Sequence, residues 1–201
     1  MTITAGPNAR SSVEKIRDAA LRSFATTGTA TTSLRTVAAT AGVSLGLVQH
    51  HFTTKAGLIK AVDDYVMAMV NETLSEPVTE PPGDSIADIG QRVTRLVIEH
   101  PDVVDYVGRA LTDGSPLGRK LFDALAAMGA ARWQQRRELG LTRPGLDPTW
   151  ATLNPLVLAL GTFILRAHVE RHLPEPFATP TQLQRWQAAV DALLREGQIR
   201  R

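Results

Sequence analysis

The 201-residue chain contains no cysteine. A disulfide framework and thiolate chemistry are therefore excluded, and a reducing, cytoplasmic home is the simplest expectation. Long apolar runs are missing as well. The longest nearly unbroken one, Leu156–Leu165, falls well short of the roughly 20 residues a helix needs to cross a bilayer, so no membrane partner is expected. Met1–Ser12 has no apolar centre, and no signal peptide is expected there. The chain also lacks alternating β-branched runs, a phosphate-cradling glycine loop, internal repeats and low-complexity tracts. No cofactor and no bound metal is expected from such a composition.

Charge is present but uneven. Residues 1–60 carry seven Lys and Arg against only Glu14 and Asp18, whereas residues 61–201 carry fifteen bases and eighteen acids. A basic head on an acidic body points to a polyanion at one end only.

Apolar residues recur at spacings of three and four throughout, which predicts an all-α chain of nine helices. Ser11 and Glu14 have capping-box spacing before a first helix faced by Val13, Ile16, Ala20 and Phe24, with Gly28 as its left-handed stop. Ser33, Ser44 and Thr54 are expected to cap the next three helices. Gly42 breaks the second, the third ends near His50, and Leu58, Val62, Tyr65, Val66 and Met69 line the fourth. A Pro-rich segment, 76–84, then intervenes. Two helices stop at Pro101 and Gly114. Three more begin at Ser115–Pro116, Asp147–Pro148 and Thr179–Pro180, each a capping residue followed by proline at the first helical position. Gln182 is expected to complete a capping box on Thr179. The implied organisation is a flexible arm at 1–10, a head at 11–60 and a body at 61–201.

Residues 33–52 meet the demands of a helix-turn-helix: two short helices crossing over a three- or four-residue turn. Gly42 supplies the positive φ the turn needs. Ala38 is small enough for close approach, and Val37, Val43, Val48 and Phe52 have the spacing of a shared core. Leu45, Gly46, Leu47, Gln49 and His50 then remain outward on the third helix, where a major groove would be read.

The same segment resembles the head of the tetracycline-repressor (TetR) family. The resemblance rests on Phe24, Gly28, Leu34–Arg35–Thr36–Val37–Ala38, Ala41–Gly42–Val43–Ser44, Gly46, Val48, His51–Phe52, Lys55 and Leu58. It covers residues 11–75. Beyond them only helix number, length and order agree. It implies a nine-helix TetR-like architecture, with a three-helix DNA-binding head on a larger effector-binding and dimerisation body. It also implies a homodimer on a pseudo-palindromic double-stranded operator, and a repressor released by a small, largely apolar effector.

Carried over by position, the DNA-binding set is Arg35, Ser44, Leu45, Gly46, Leu47, Gln49, His50, His51 and Lys55. Arg35 suits a base or a phosphate. Gln49 stands where the family usually has a backbone-contacting tyrosine, and it can bond a phosphate or pair with an adenine edge. Leu45 and Leu47 suit thymine methyl groups or packing within the head. His51 and Lys55 occupy backbone-contacting positions; the alternatives are a core-edge histidine and a solvated lysine.

In the body, the resemblance pairs the last two long helices, about 148–172 and 180–195, with their copies. The candidate interface is Leu153, Leu160, Ile164, Leu183, Trp186, Val190 and Leu193. Leu153–Leu165 is apolar on more than one face and needs partners on more than one side, which burial inside one subunit would also provide. The candidate effector pocket is Met67, Tyr106, Phe122, Met128, Trp133, Asn154 and Phe163, with Pro155 freeing a backbone carbonyl beside Asn154.

Two other classes stand against this reading. His168 and His172 share a helical spacing with Glu170 between them, which admits a metal-dependent helical enzyme. The glutamate, however, does not directly follow the first histidine as in His-Glu-x-x-His hydrolases. A helical scaffold that binds no DNA would leave the Arg35–Lys55 constellation without a purpose.

Overall fold

Capping and helical periodicity account for nearly every element of the fold. A computed structural model describes residues 11–75 and 85–199. The arm expected at 1–10 and the Pro-rich segment 76–84 lie outside the described residues. These form α1 (Ser12–Thr27), α2 (Leu34–Ala41), α3 (Leu45–Phe52), α4 (Lys55–Ser75), α5 (Ser85–Glu99), α6 (Pro101–Thr112), α7 (Pro116–Glu138), α8 (Pro148–Ile164), α9 (Arg166–Val169) and α10 (Pro180–Gln198). A 3-10 turn, Glu170–His172, follows α9. The expected eighth helix breaks at Leu165 with a bend of 71°, which yields ten α-helices rather than nine. No single helix among the described residues is long and apolar enough to cross a membrane.

The chain divides into two compact units, Met1–Val66 and Met67–Arg201. The division falls inside α4, six residues beyond the end of the expected head.

In the first unit each helix start is fixed locally. Ser11 and Glu14 exchange both capping-box hydrogen bonds. The Ser33 and Ser44 hydroxyls accept from the Thr36 and Leu47 amides at 3.0 and 3.2 Å, and Thr54 accepts from Gly57 at 3.0 Å. Each cap satisfies a backbone donor that has no partner within its helix. Gly42 adopts φ 67° and ψ 35°, the left-handed conformation that lets α2 turn directly into α3. Ile16, Phe24, Val37, Val48, Leu58, Val62 and Val66 are fully buried in this unit.

In the second unit α7 lies close against α6, and Val103, Tyr106, Leu117 and Leu121 are buried there. Val97, Val104, Phe177 and Leu183 form a further core, against which Phe163 and Trp186 pack. The Phe163, Phe177 and Trp186 rings meet edge to face at 5.4–5.8 Å.

Pro155 lies inside α8. It has no N–H to give the carbonyl four residues back, that of Ala151. That carbonyl accepts instead from the Gln198 side chain on α10 at 3.0 Å. Gln198→Leu should therefore cost about 1–3 kcal/mol, the penalty for a buried unsatisfied carbonyl. In a Pro155→Ala background the helix regains its own N–H, and the same substitution should cost far less. Urea titrations of the four proteins check this, and equal costs in both backgrounds would refute the account.

Candidate nucleic-acid interface

The third helix divides cleanly by burial. Val48 is fully buried and Phe52 half-buried, whereas Gly46, Gln49 and His50 are exposed at the spacing of one helical face. Leu45 and Leu47 are half-buried, so each packs within the head and still presents part of its surface. Ser44 is exposed but its hydroxyl is engaged as the α3 cap. Arg35 is exposed on the first turn of α2.

His51 is also exposed, with its ring edge-to-face against His50 at 5.3 Å and Phe52 at 6.3 Å. That is not the environment of a core-edge histidine. Lys55 is not a simple solvated lysine either. It is half-buried, and its ammonium donates to the Ala30 carbonyl at 2.9 Å, tying α4 to the loop before α2. Two of its three donors remain for a phosphate. The Arg17 guanidinium stacks 3.8 Å above the Tyr65 ring, joining α1 to α4. The head thus presents cationic and amide side chains on rigid helices capped at their starts.

The second unit contains a partly open cavity of about 250 Å³. Of the pocket residues expected from the sequence, Met128 and Phe163 line it. Tyr106 and Trp133 do not; both are buried as core. Met67 and Phe122 are half-buried away from it. Asn154 is exposed and faces outward, so the expectation of a buried amide beside Pro155 is corrected: the proline lines the cavity and the asparagine does not.

Several expected interface residues also turn inward. Leu183 is fully buried within its own subunit. Leu160, Ile164, Trp186 and Val190 line the cavity, and the Trp186 indole donates to Thr162 Oγ1 at 3.2 Å. Leu153 is half-buried. Ile164, though it lines the cavity, is 41% exposed, and Leu193 is the most exposed of the set at 62%. It borders an outer groove of about 730 Å³ with Trp150, Asn154, Val157, Gly161 and Leu165.

The sequence reading missed two arginines of the cavity. Leu125, Met128, Gly129, Arg132 and Arg136 fall on one stripe of α7, and all line it. Their helical spacing was the available signal. Arg132 donates to the Leu74 carbonyl at 2.9 Å, in the last turn of α4. Burial lowers the pKa of its guanidinium below the usual value, and Arg92 and Arg136 push it the same way.

His168 and His172 are both exposed, on α9 and the 3-10 turn. Glu170 between them accepts the Phe177 amide at 3.1 Å. No cluster of three metal-ligating side chains occurs among the described residues.

Comparison with known proteins gives a family match in the head and broader likenesses along the chain. Residues 16–62 match the profile of bacterial regulatory proteins, tetR family. The chain is 27% identical over 152 residues to the HTH-type transcriptional regulatory protein RaaS of Mycobacterium tuberculosis, covering 75% of this chain and 69% of RaaS. It is 38% identical over 104 residues to an HTH-type transcriptional repressor of the same organism, covering 52% of this chain but only 48% of that one. Among solved structures, a transcriptional regulator from Saccharomonospora viridis in complex with choline shares the fold. The TM-score is 0.67 at 17% identity, over 94% of this chain and 98% of that one.

Proposed function

We propose that this chain is a transcriptional regulator of the tetR family of bacterial regulatory proteins, which its head matches, and that it acts as a homodimeric repressor that leaves its operator when a small molecule enters the body. The observation that carries the DNA-binding reading is the outward face of α3. Gly46, Gln49 and His50 are exposed there above a fully buried Val48, with Arg35 exposed on α2. The apolar cavity of about 250 Å³ supports the effector reading, as does the choline bound by the Saccharomonospora regulator.

Release requires the effector to bind the DNA-incompetent arrangement better than the competent one. The helix that links head to body is the natural lever. α4 is continuous from Lys55 to Ser75; it starts at a candidate phosphate contact, and Val70 and Leu74 near its far end line the cavity. A coupling of about 1–3 kcal/mol lowers operator affinity some 5–150-fold.

Gel shifts with genomic fragments flanking the chain's own gene test the reading. A specific, pseudo-palindromic fragment should shift. Gln49→Ala should cost about 1–3 kcal/mol and relax preference at one base pair if the amide reads a base. Lys55→Ala should weaken all sequences alike and lower the salt slope by about one. Failure of any fragment to shift would remove the DNA-binding role. Unchanged affinity and preference in Gln49→Ala would remove base reading at that position.

A further inference from the structure

The cavity is apolar along most of its wall, through residues such as Leu125, Leu156 and Phe163, and among the described lining residues the charged ones are Arg132, Arg136 and Asp191. Asp191 is the one acid among the described lining residues, and both it and Arg136 already take part in other interactions. A guanidinium has five donors in a fixed fork, so the Arg132 bond to the Leu74 carbonyl leaves that side chain capacity for a carboxylate. Arg132 is held half-buried, facing the cavity from α7 and bonded to the last turn of α4.

We propose that the ligand of this cavity is an amphipathic organic anion, with its carboxylate at Arg132 and Arg136 and its apolar tail along Leu125, Leu156 and Phe163. This inference rests on the effector reading and names the ligand's class. Three considerations select the anion. A cation entering beside two arginines meets like charge, and the one acid among the described lining residues is already engaged. A neutral ligand would desolvate Arg132 further and could return only an uncharged acceptor, which makes a weaker bond than a carboxylate. A carboxylate relieves both the desolvation and the repulsion from Arg92 and Arg136 that already bear on that side chain. Arg pairs with carboxylates in bidentate geometry, which fixes orientation as well as charge.

Size limits the ligand further. A dry cavity of about 150 Å³ takes benzene. On the same scale a cavity of about 250 Å³ holds roughly ten non-hydrogen atoms, the size of octanoate. The carboxylate and the Leu74 carbonyl then share one guanidinium. Ligand charge is thereby linked to the end of α4.

Sodium octanoate, 1-octanol and octylammonium share one tail and differ in the head. Each is titrated into the full-length protein by calorimetry, with the fluorescence of Trp186 in the cavity wall as a second readout. Octanoate should bind at least tenfold tighter than the other two. Arg132→Gln should weaken octanoate tenfold or more while leaving 1-octanol unchanged, which also shows that the variant is folded. Equal affinities for the three heads, preference for octylammonium, absence of saturable octanoate binding, or equal losses of octanoate and 1-octanol in Arg132→Gln would each overturn the proposal. A gel shift with operator separates it from the reading beneath it. Octanoate that binds as expected but leaves the operator complex intact supports the ligand class and defeats the effector role. A neutral or cationic compound that releases operator, where octanoate does not bind, does the reverse.

Discussion

Gly118→Ala is expected to cost the protein at least about 3 kcal/mol, a large share of the 5–15 kcal/mol that typically holds a domain. A Cβ at Gly118 would stand 2.1 Å from the Ala110 carbonyl oxygen, 2.5 Å from its carbon and 2.9 Å from the Leu111 nitrogen. These are backbone atoms, not the ends of flexible side chains. The carbonyl is further pinned because it accepts the Ser115 amide at 3.0 Å, across the turn that joins α6 to α7. The Gly118 amide is itself fixed by the Ser115 hydroxyl at 3.1 Å. Relief therefore requires α6 and α7 to part by more than an ångström, opening the packing around Tyr106, Leu117 and Leu121, which are buried nearby. Ordinary overpacking of a core costs about 1–3 kcal/mol, and a rigid backbone obstacle costs more. The gain in helix propensity from Gly to Ala, at most about 1 kcal/mol, does not offset it. Gly108→Ala on α6 is the control, since nothing lies within 4 Å of the Cβ it would add; it should be neutral or mildly stabilising. Urea unfolding followed by circular dichroism decides the matter. Wild-type stability in Gly118→Ala would mean that α6 and α7 do not approach as closely as described.

The features legible in the sequence were those settled within a few residues. The caps at Ser11, Ser33, Ser44, Thr54, Ser115, Asp147 and Thr179 all occur where serine, threonine or aspartate precedes an apolar period, because a cap is a bond spanning three residues. The helix-turn-helix was legible for the same reason: Gly42 and the Val37–Val48 pair act across one turn. Even here a local rule was overridden. Gln182 has capping-box spacing, but it is buried, and its amide group bonds Glu175 and Arg185. Gly28 was expected to be left-handed and instead takes φ 87° and ψ 158°, another conformation reserved for glycine.

The body was harder to read because a cavity is what packing leaves over. Tyr106, Trp133 and Phe122 are large enough to line a pocket or to fill one, and nothing local separates the two outcomes. α8 is apolar all round, so its pattern cannot tell the side that faces α10 from the side that faces out. Only the three-dimensional arrangement turns Leu160 inward and Val157 outward. Arg132 shows the converse. As a charged residue it reads as surface, yet its stem and fork sit between the cavity and the end of α4.

Replacing Val157 and Leu193 together by Asp should leave the subunit folded, convert the protein to a monomer, and lower its affinity for a full operator some 10²–10⁴-fold. Val157 is 58% exposed and Leu193 62% exposed, so little packing within the subunit is lost by changing them. Trp150 and Leu165 are exposed along the same groove, at 59% and 53%. Trp150, Asn154, Val157, Gly161 and Leu165 follow one another at three- and four-residue steps, which makes one stripe on α8 and the residue that ends it, apolar except for Asn154. Soluble chains seldom leave so many large apolar side chains contiguous and uncovered unless another surface covers them. A second copy covers such a stripe symmetrically, as in most homo-oligomers. Two aspartates on each copy would then bring like charges together in a desolvated seam, which neither subunit can neutralise. The DNA consequence follows from avidity. A dimer places two heads on successive major grooves, about 34–36 Å apart, and the second head binds at high effective concentration once the first is engaged. The monomer retains its affinity for a half-site and loses that advantage. Sedimentation gives the oligomeric state, thermal melting the integrity of the subunit, and anisotropy on full-site and half-site duplexes the loss specific to the pair. A doubly substituted protein that still sediments as a dimer, or an unmodified chain that is monomeric at micromolar concentration, would place the subunit contact elsewhere than on this groove.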